Sequence, residues 1–140
     1  VTPKIEGNGD KKLGVVILKF QKVEYIIALP RMNLYMDYSA KIYEIYLRYV
    51  SEKDIHVYSI DECFIDMTSY LRLYNKKPKE FAQMLMNAVM EETNITATAG
   101  IGTNLYLAKI ALDIISKHVP DNIVMLTEKT YQNIFGIIHL

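Results

Sequence analysis

Two adjacent acids, Asp61 and Glu62, stand between two short runs rich in β-branched and aromatic residues, HVYSI and CFIDM. Such runs are strand formers, and an acidic pair between them reads as two strands meeting at a tight turn. On a straight strand neighbouring side chains point to opposite faces, so adjacent carboxylates share no ligand. At a bend both can face one side. Carboxylates held close repel each other, and a divalent cation offsets that repulsion. Mg²⁺ is the usual choice, bound through one or two carboxylates plus substrate phosphates. The plainer reading is solvated turn chemistry, the common fate of acids at a turn.

A second group of residues lies further along. The helix expected from about Asn104 to His118 is almost wholly apolar, with Leu105, Leu107, Ala108, Ile110, Ala111, Leu112, Ile114 and Ile115. A narrow polar stripe remains, carrying Tyr106, Lys109, Asp113, Ser116 and Lys117 at helical steps. A helix apolar nearly all round is packed on most sides. Lys109 on its open stripe is either solvated or aimed into a polar cleft. Composition alone favours the solvated reading, because long cationic side chains reach water easily. Gly100 and Gly102 permit close backbone approach at the turn into this helix. They lack P-loop spacing.

The elements that must position these groups follow in order. Residues 1–12, with Pro3, Gly7 and Gly9, read as a loop or loose tail. LGVVILKF (13–20) and VEYIIAL (23–29) are strand-like and form a candidate hairpin. Pro30-Arg31-Met32 breaks the pattern. A helix is expected from about Ser39 to Val50, with Ile42, Ile45, Tyr46, Tyr49 and Val50 at helical spacing and Ser39 or Asp37 as its cap. Its tyrosines read as core packing with hydroxyls at the rim rather than as a base-stacking platform. After the acidic hairpin, SYLRLYNKK reads as a helical turn or loop. Pro78 opens a helix ending near Thr93, with Phe81, Leu85, Ala88 and Val89 as its inner stripe and Met84, Met86 and Met90 as adaptable packing. ITATAGIG (95–102) and NIVML (122–126) read as strands, and Thr127 as the cap of a last helix over 128–135. The order from residue 23 onward is βαββαβ, the ferredoxin-like arrangement. Several chemistries use that topology, so fold alone decides none.

Bulk properties bound the answer. The 140 residues, 51% hydrophobic, suit one domain with a moderate core. Sixteen basic and sixteen acidic residues cancel, which excludes a free-standing basic module that grips nucleic acid by phosphate neutralisation. One cysteine excludes an intrachain disulfide framework, and Cys63 reads as a small apolar filler. His56, His118 and His139 show no ligand spacing. Apolar runs such as GVVIL are too short to span a bilayer, so a soluble cytoplasmic protein is expected. The start at Val1 and the end within IIHL read as cut, as in a piece of a longer polypeptide.

YSIDECFID (58–66) resembles the signature of the Y-family (translesion) DNA polymerases of the ImpB/MucB/SamB type, in which Ser-Ile-Asp-Glu carries palm-domain catalytic acids. TATAGIGTNLYLAKIALDI (96–114) is similar to the family's second block, where a Gly-Ile-(Gly/Ser)-x-Asn segment leads into a helix bearing Ala-Lys-Ile-Ala. The likeness covers roughly residues 21–126. It implies an α+β, ferredoxin-like βαββαβ palm, truncated, with an antiparallel or mixed sheet and helices on one face. Residues 13–126 would be the palm fragment, and 127–140 the start of a connection towards a thumb.

The resemblance also implies roles. Asp61 would be a metal ligand bridging two Mg²⁺ ions, and Glu62 the catalytic acid beside the primer 3′-hydroxyl and metal. Lys109 would contact the triphosphate of the incoming dNTP, where a point cation stabilises developing charge. Ser59 matches a serine near the primer strand. Asp66 reads as closing the motif structurally, with either Asp66 or Thr68 as the cap of a helical turn. Expected partners are primed, damaged DNA and dNTP, with action on nucleoid DNA and no membrane.

The departure from the family is large. A strand bearing another metal-binding Asp with its ribonucleotide-excluding aromatic residue, the fingers, the thumb and the outer DNA-binding domain have no counterpart in these 140 residues. Two-metal transfer needs carboxylates from both strands. Weak Mg²⁺ binding and no polymerisation are therefore expected of this chain alone. The gap left in the sheet is expected either to be filled by residues 13–29 or to drive self-association through an exposed sheet edge. Two other classes remain open. A palm-type nucleotidyl cyclase also places acids on a hairpin, but with a glycine pair where Ser59-Ile60 stands. A non-catalytic interaction module would leave the acids idle.

Overall fold

The computed structural model describes residues 26–135. Contacts between Cα atoms divide the chain after Pro30, and the architecture below is that of the unit beginning at Arg31. Residues 26–30 have no regular secondary structure, so the described part of the strand expected over 23–29 is not a strand. The tail at 1–12 and the run at 13–20 lie outside the described residues.

The first helix, α1 (Met32–Leu47), starts well before the expected Ser39. Asp37 and Ser39 lie inside it rather than capping it, and Arg31 takes the cap position without a side-chain bond. The reason is that apolar periodicity reports contact with a core, not helicity itself. Ile42, Ile45, Tyr46 and Tyr49 pack against Ala88 and Val89, and the turns before them take no part in that cluster. Burial pushes the Tyr46 phenol up to about 12, and the Cys63 thiol adds to the shift. The stripe is core packing, as read.

A short 3₁₀ turn (Glu52–Asp54) leads into strands β1 (Ile55–Val57) and β2 (Cys63–Ile65), an antiparallel pair with Ile55 opposite Ile65 and Val57 opposite Cys63. Ile55 and Ile65 pack on Val50, Phe81 and Leu85. The Asp66 carboxylate then accepts the Thr68 N–H at 2.9 Å, opening the short helix α2 (Thr68–Leu73). Tyr70 on α2 ties the hairpin's approach: its hydroxyl donates to Asp54 at 2.6 Å and accepts the Ser51 N–H at 2.8 Å.

Helix α3 (Pro78–Thr93) lies where its pattern puts it. Pro78 takes a first-turn position, Glu80 accepts the Lys77 N–H at 2.8 Å, and Asn94 ends the helix in the left-handed region at φ 56°. Strands β3 (Ala99–Gly102) and β4 (Ile123–Leu126) form a parallel pair. Their crossover is α4 (Leu105–Ile110), which runs on through a π-helical turn (Ala111–Ile115) and a 3₁₀ turn (Ser116–His118). The chain then enters α5 (Glu128–Phe135), where Thr127 Oγ1 accepts the Thr130 N–H at 3.3 Å as the expected cap.

The molecule is α+β, as expected, but the ladder differs in two respects. Among the described residues the strands make two separate pairs, one antiparallel and one parallel. Helices cover both faces of the parallel pair rather than one. Ile101 and Ile123 pack on Ala82 of α3, whereas Val124 and Leu126 pack on Leu107 and Ala111 from the crossover. Parallel strands joined by a crossover are buried on both sides. Residues of β2 and β3 line one groove of about 400 Å³.

The crossover also departs from its expected stripe. Ser116 is fully buried and donates to the Leu112 carbonyl at 2.6 Å, whereas Ile114 is half exposed. A π-helical turn holds more residues than an α turn, so it rotates everything after it. No helix among the described residues is long and apolar enough to cross a membrane.

Candidate active site

The loop between β1 and β2 is closed by two backbone bonds. The N–H groups of Tyr58 and Ser59 both donate to the Glu62 carbonyl, at 3.0 and 3.1 Å. This bend takes Asp61 and Glu62 off the alternating strand register. Asp61 is exposed, and Ser59 Oγ donates to its Oδ1 at 2.8 Å. Glu62 is half-buried at the foot of the loop. The plain solvated turn therefore describes Asp61 better than Glu62.

Lys109 is paired with carboxylates rather than simply solvated. Its Nζ donates to Glu62 Oε2 at 2.5 Å, a contact between residues 47 apart. It also donates to Asp113 Oδ1 at 3.2 Å and stands 5.1 Å from the centroid of the Tyr58 ring. Its hydrogen bond to Glu62, followed by that to Asp113, holds the ammonium above the ordinary lysine value against the opposing pull of desolvation. Two carboxylates and a ring face surround one cation. The side chains of Lys109 and Glu62 retain 27% and 29% exposure, so the pair is open enough to exchange partners with a ligand.

The position of α4 follows from its two flanking glycines. A Cβ on Gly100 would lie 2.3 Å from the Ala108 carbonyl oxygen, and one on Gly102 would lie 2.4 Å from the Ala108 nitrogen. Side chains here would hold the helix off β3 and carry Lys109 away from the acidic loop. Asn104 caps the helix, its Oδ1 accepting the Leu107 N–H at 2.9 Å. These glycines serve close approach, as expected.

The structure thus brings Glu62 and Lys109 together and joins Ser59 to Asp61. Asp66, one residue before the Met67 N-cap of α2, accepts the first N–H of that helix. Cys63 lies beside the loop as a partly buried thiol, pushed up to about 11 by burial and so protonated at neutral pH. Among the described residues no three His, Cys, Asp or Glu side chains stand at metal-ligand spacing. Two oxygen-only donors, Asp61 and Glu62, suit a hard ion such as Mg²⁺ that completes its shell with water and phosphate. Of the groups around the lysine, Asp113 lies on the expected polar stripe, whereas Tyr58 was not singled out. Asp113 is four residues on, the helical neighbour spacing, so its signal was present. Tyr58 is distant in sequence and had none.

A family model described as the impB/mucB/samB family matches residues 14–113. The DNA polymerase IV 2 of Bacillus subtilis is 37% identical over 106 residues, 76% of this chain and 25% of that protein. The DNA polymerase IV 2 of Halalkalibacterium halodurans is 34% identical over 111 residues, 79% of this chain and 26% of that protein. The crystal structure of DinB from Sulfolobus solfataricus superposes with a TM-score of 0.59 at 28% identity, covering 74% of this chain and 29% of that one. The chain spans about a quarter of the length of these curated relatives. With the acidic motif inside the matched span and the second block inside it up to Asp113, the chain belongs to the impB/mucB/samB family, the Y-family polymerase group.

Proposed function

We propose that these residues are the palm segment of a translesion DNA-directed DNA polymerase, which transfers a nucleotidyl group from dNTP to a primer 3′-hydroxyl. Residues 13–126 form the palm, and 127–140 lead towards the thumb. The supporting observation is the Lys109–Glu62 contact, which couples the acidic loop to the helix that follows β3. In this reading Asp61 and Glu62 hold Mg²⁺, Lys109 neutralises the triphosphate, and Ser59 stands near the primer strand. Bound divalent ions would supply charge neutralisation at phosphate and lower the pKa of the attacking hydroxyl. Primed, damaged DNA is the substrate, met at the nucleoid in the cytoplasm.

Primer extension by the whole polypeptide with Mg²⁺ and dNTP tests this reading. Asp61→Ala and Glu62→Ala should each cut incorporation by roughly 10²–10³-fold or more, the scale of losing a group that stabilises transition-state charge. Cyclic nucleotide formed from free dNTP, or extension untouched by both substitutions, overturns it. These 140 residues by themselves should extend no primer. They should self-associate through an exposed sheet edge, and a clean monomer in sedimentation would exclude that contact.

A further inference from the structure

Lys109 faces a conflict of duties under the proposed function, on which this inference rests. Its nearest partner is Glu62 at 2.5 Å, and Glu62 is also the acid offered to a divalent cation. A cation on Glu62 competes directly with the ammonium. A lysine that lost its main partner would fall back on a flexible four-carbon stem, free to leave the site.

Two other groups hold it. The Asp113 carboxylate lies 3.2 Å away, on the π-helical turn that continues α4. Isolated π turns of this kind are frequent at functional sites. The Tyr58 ring presents its face to the ammonium at 5.1 Å, and Phe64 meets that ring edge-on at 5.7 Å and 76°, which orients it. Neither contact depends on Glu62. Both groups are too exposed to be core supports, Tyr58 at 59% and the Asp113 side chain at 46%.

We infer that Tyr58 and Asp113 are positioning residues for Lys109: they keep its ammonium beside the acidic loop while Glu62 is given up to metal, so that the lysine passes from carboxylate to phosphate without leaving the pocket. The tyrosine acts through its ring face, and the aspartate through one carboxylate oxygen.

Steady-state dNTP incorporation by the whole polypeptide tests this, with melting temperature and primer–template affinity measured beside it. Lys109→Ala sets the scale by raising KM for dNTP. Tyr58→Leu and Asp113→Asn should each raise that KM roughly two- to five-fold, the worth of an exposed cation contact. Their kcat, DNA affinity and melting temperature should stay near wild type. Tyr58→Phe, which keeps the ring face, should restore the wild-type KM. If Lys109→Ala raises KM and neither Tyr58→Leu nor Asp113→Asn does, the inference fails and the proposed function stands. A fall in kcat or melting temperature without a change in KM also overturns it. If Lys109→Ala leaves KM unchanged, the nucleotide role of the lysine fails and the inference with it.

Discussion

At the scale of residues, one ammonium carries most of the site's electrostatics. Lys109 is raised above its ordinary value of 10.5, first by its hydrogen bond with Glu62. The sign follows directly. Any stability from a raised lysine is fully present below its unfolded pKa and is lost as pH rises through the higher folded value. The Lys109 side chain should therefore titrate above the ordinary lysine value when followed by NMR. Glu62→Gln should move that midpoint down. A Lys109 midpoint unchanged by Glu62→Gln would show that the pair is not formed in solution. The sequence carried half of this arrangement. Asp61, Glu62 and Lys109 were recognisable as motif letters, and Asp113 sat on the same stripe. Nothing local linked Tyr58 to the lysine, because that contact exists only once the β1–β2 loop meets α4.

At the scale of elements, the fit of α4 on β3 decides where Lys109 falls. Gly100→Ala would place a methyl 2.3 Å from the Ala108 carbonyl oxygen and from the Leu112 nitrogen, both backbone atoms that cannot swing aside. Overpacking of this kind costs roughly 1–3 kcal/mol. Urea unfolding should show a lower midpoint for Gly100→Ala, and dNTP binding by the whole polypeptide should weaken as the helix shifts. An unchanged midpoint would mean the helix has room to move. Element identities were largely readable. Helix α3 runs from Pro78 to Thr93, as its proline and apolar stripe indicate, and β4, α5 and the Thr127 cap also agree with expectation. Helix α1 was under-read because its first turns add no residue to the Ile45–Val89 cluster. The π-helical turn was invisible, since a single extra residue in a turn leaves no compositional mark.

At the scale of the whole molecule, ion pairs and capping bonds link elements distant in sequence. Arg48 grips Glu92 with two bonds of 2.6 and 2.7 Å, fastening the end of α1 to the end of α3, and Lys41 donates to the Glu92 carbonyl at 3.1 Å. The Arg48 hydrogen bond holds the Glu92 carboxyl below its usual 4.5, and the Thr103 hydroxyl does the same for Glu128. The Thr68 bonds hold Asp66 below its usual 3.8. For a depressed acid the contribution is present above the unfolded pKa and is lost as pH falls through the folded one. Melting temperature should thus decline below about pH 4.5, near the unperturbed carboxylate values. Arg48→Ala should flatten that decline, because Glu92 then titrates normally. An acid limb identical in the variant would show that this pair adds nothing.

The sequence by itself determined the class of the fold, the order of most elements and the identity of the acids and the lysine. These are local matters of periodicity, turn chemistry and motif. Only the tertiary structure decided that Lys109 meets Glu62, that Tyr58 and Asp113 share the ammonium, and that helices cover both faces of the parallel strands. The physical reason is that each of these depends on which surfaces come within a few ångströms of each other. That distance is set by the glycines under α4 and by the bend at Glu62, acting together across the fold.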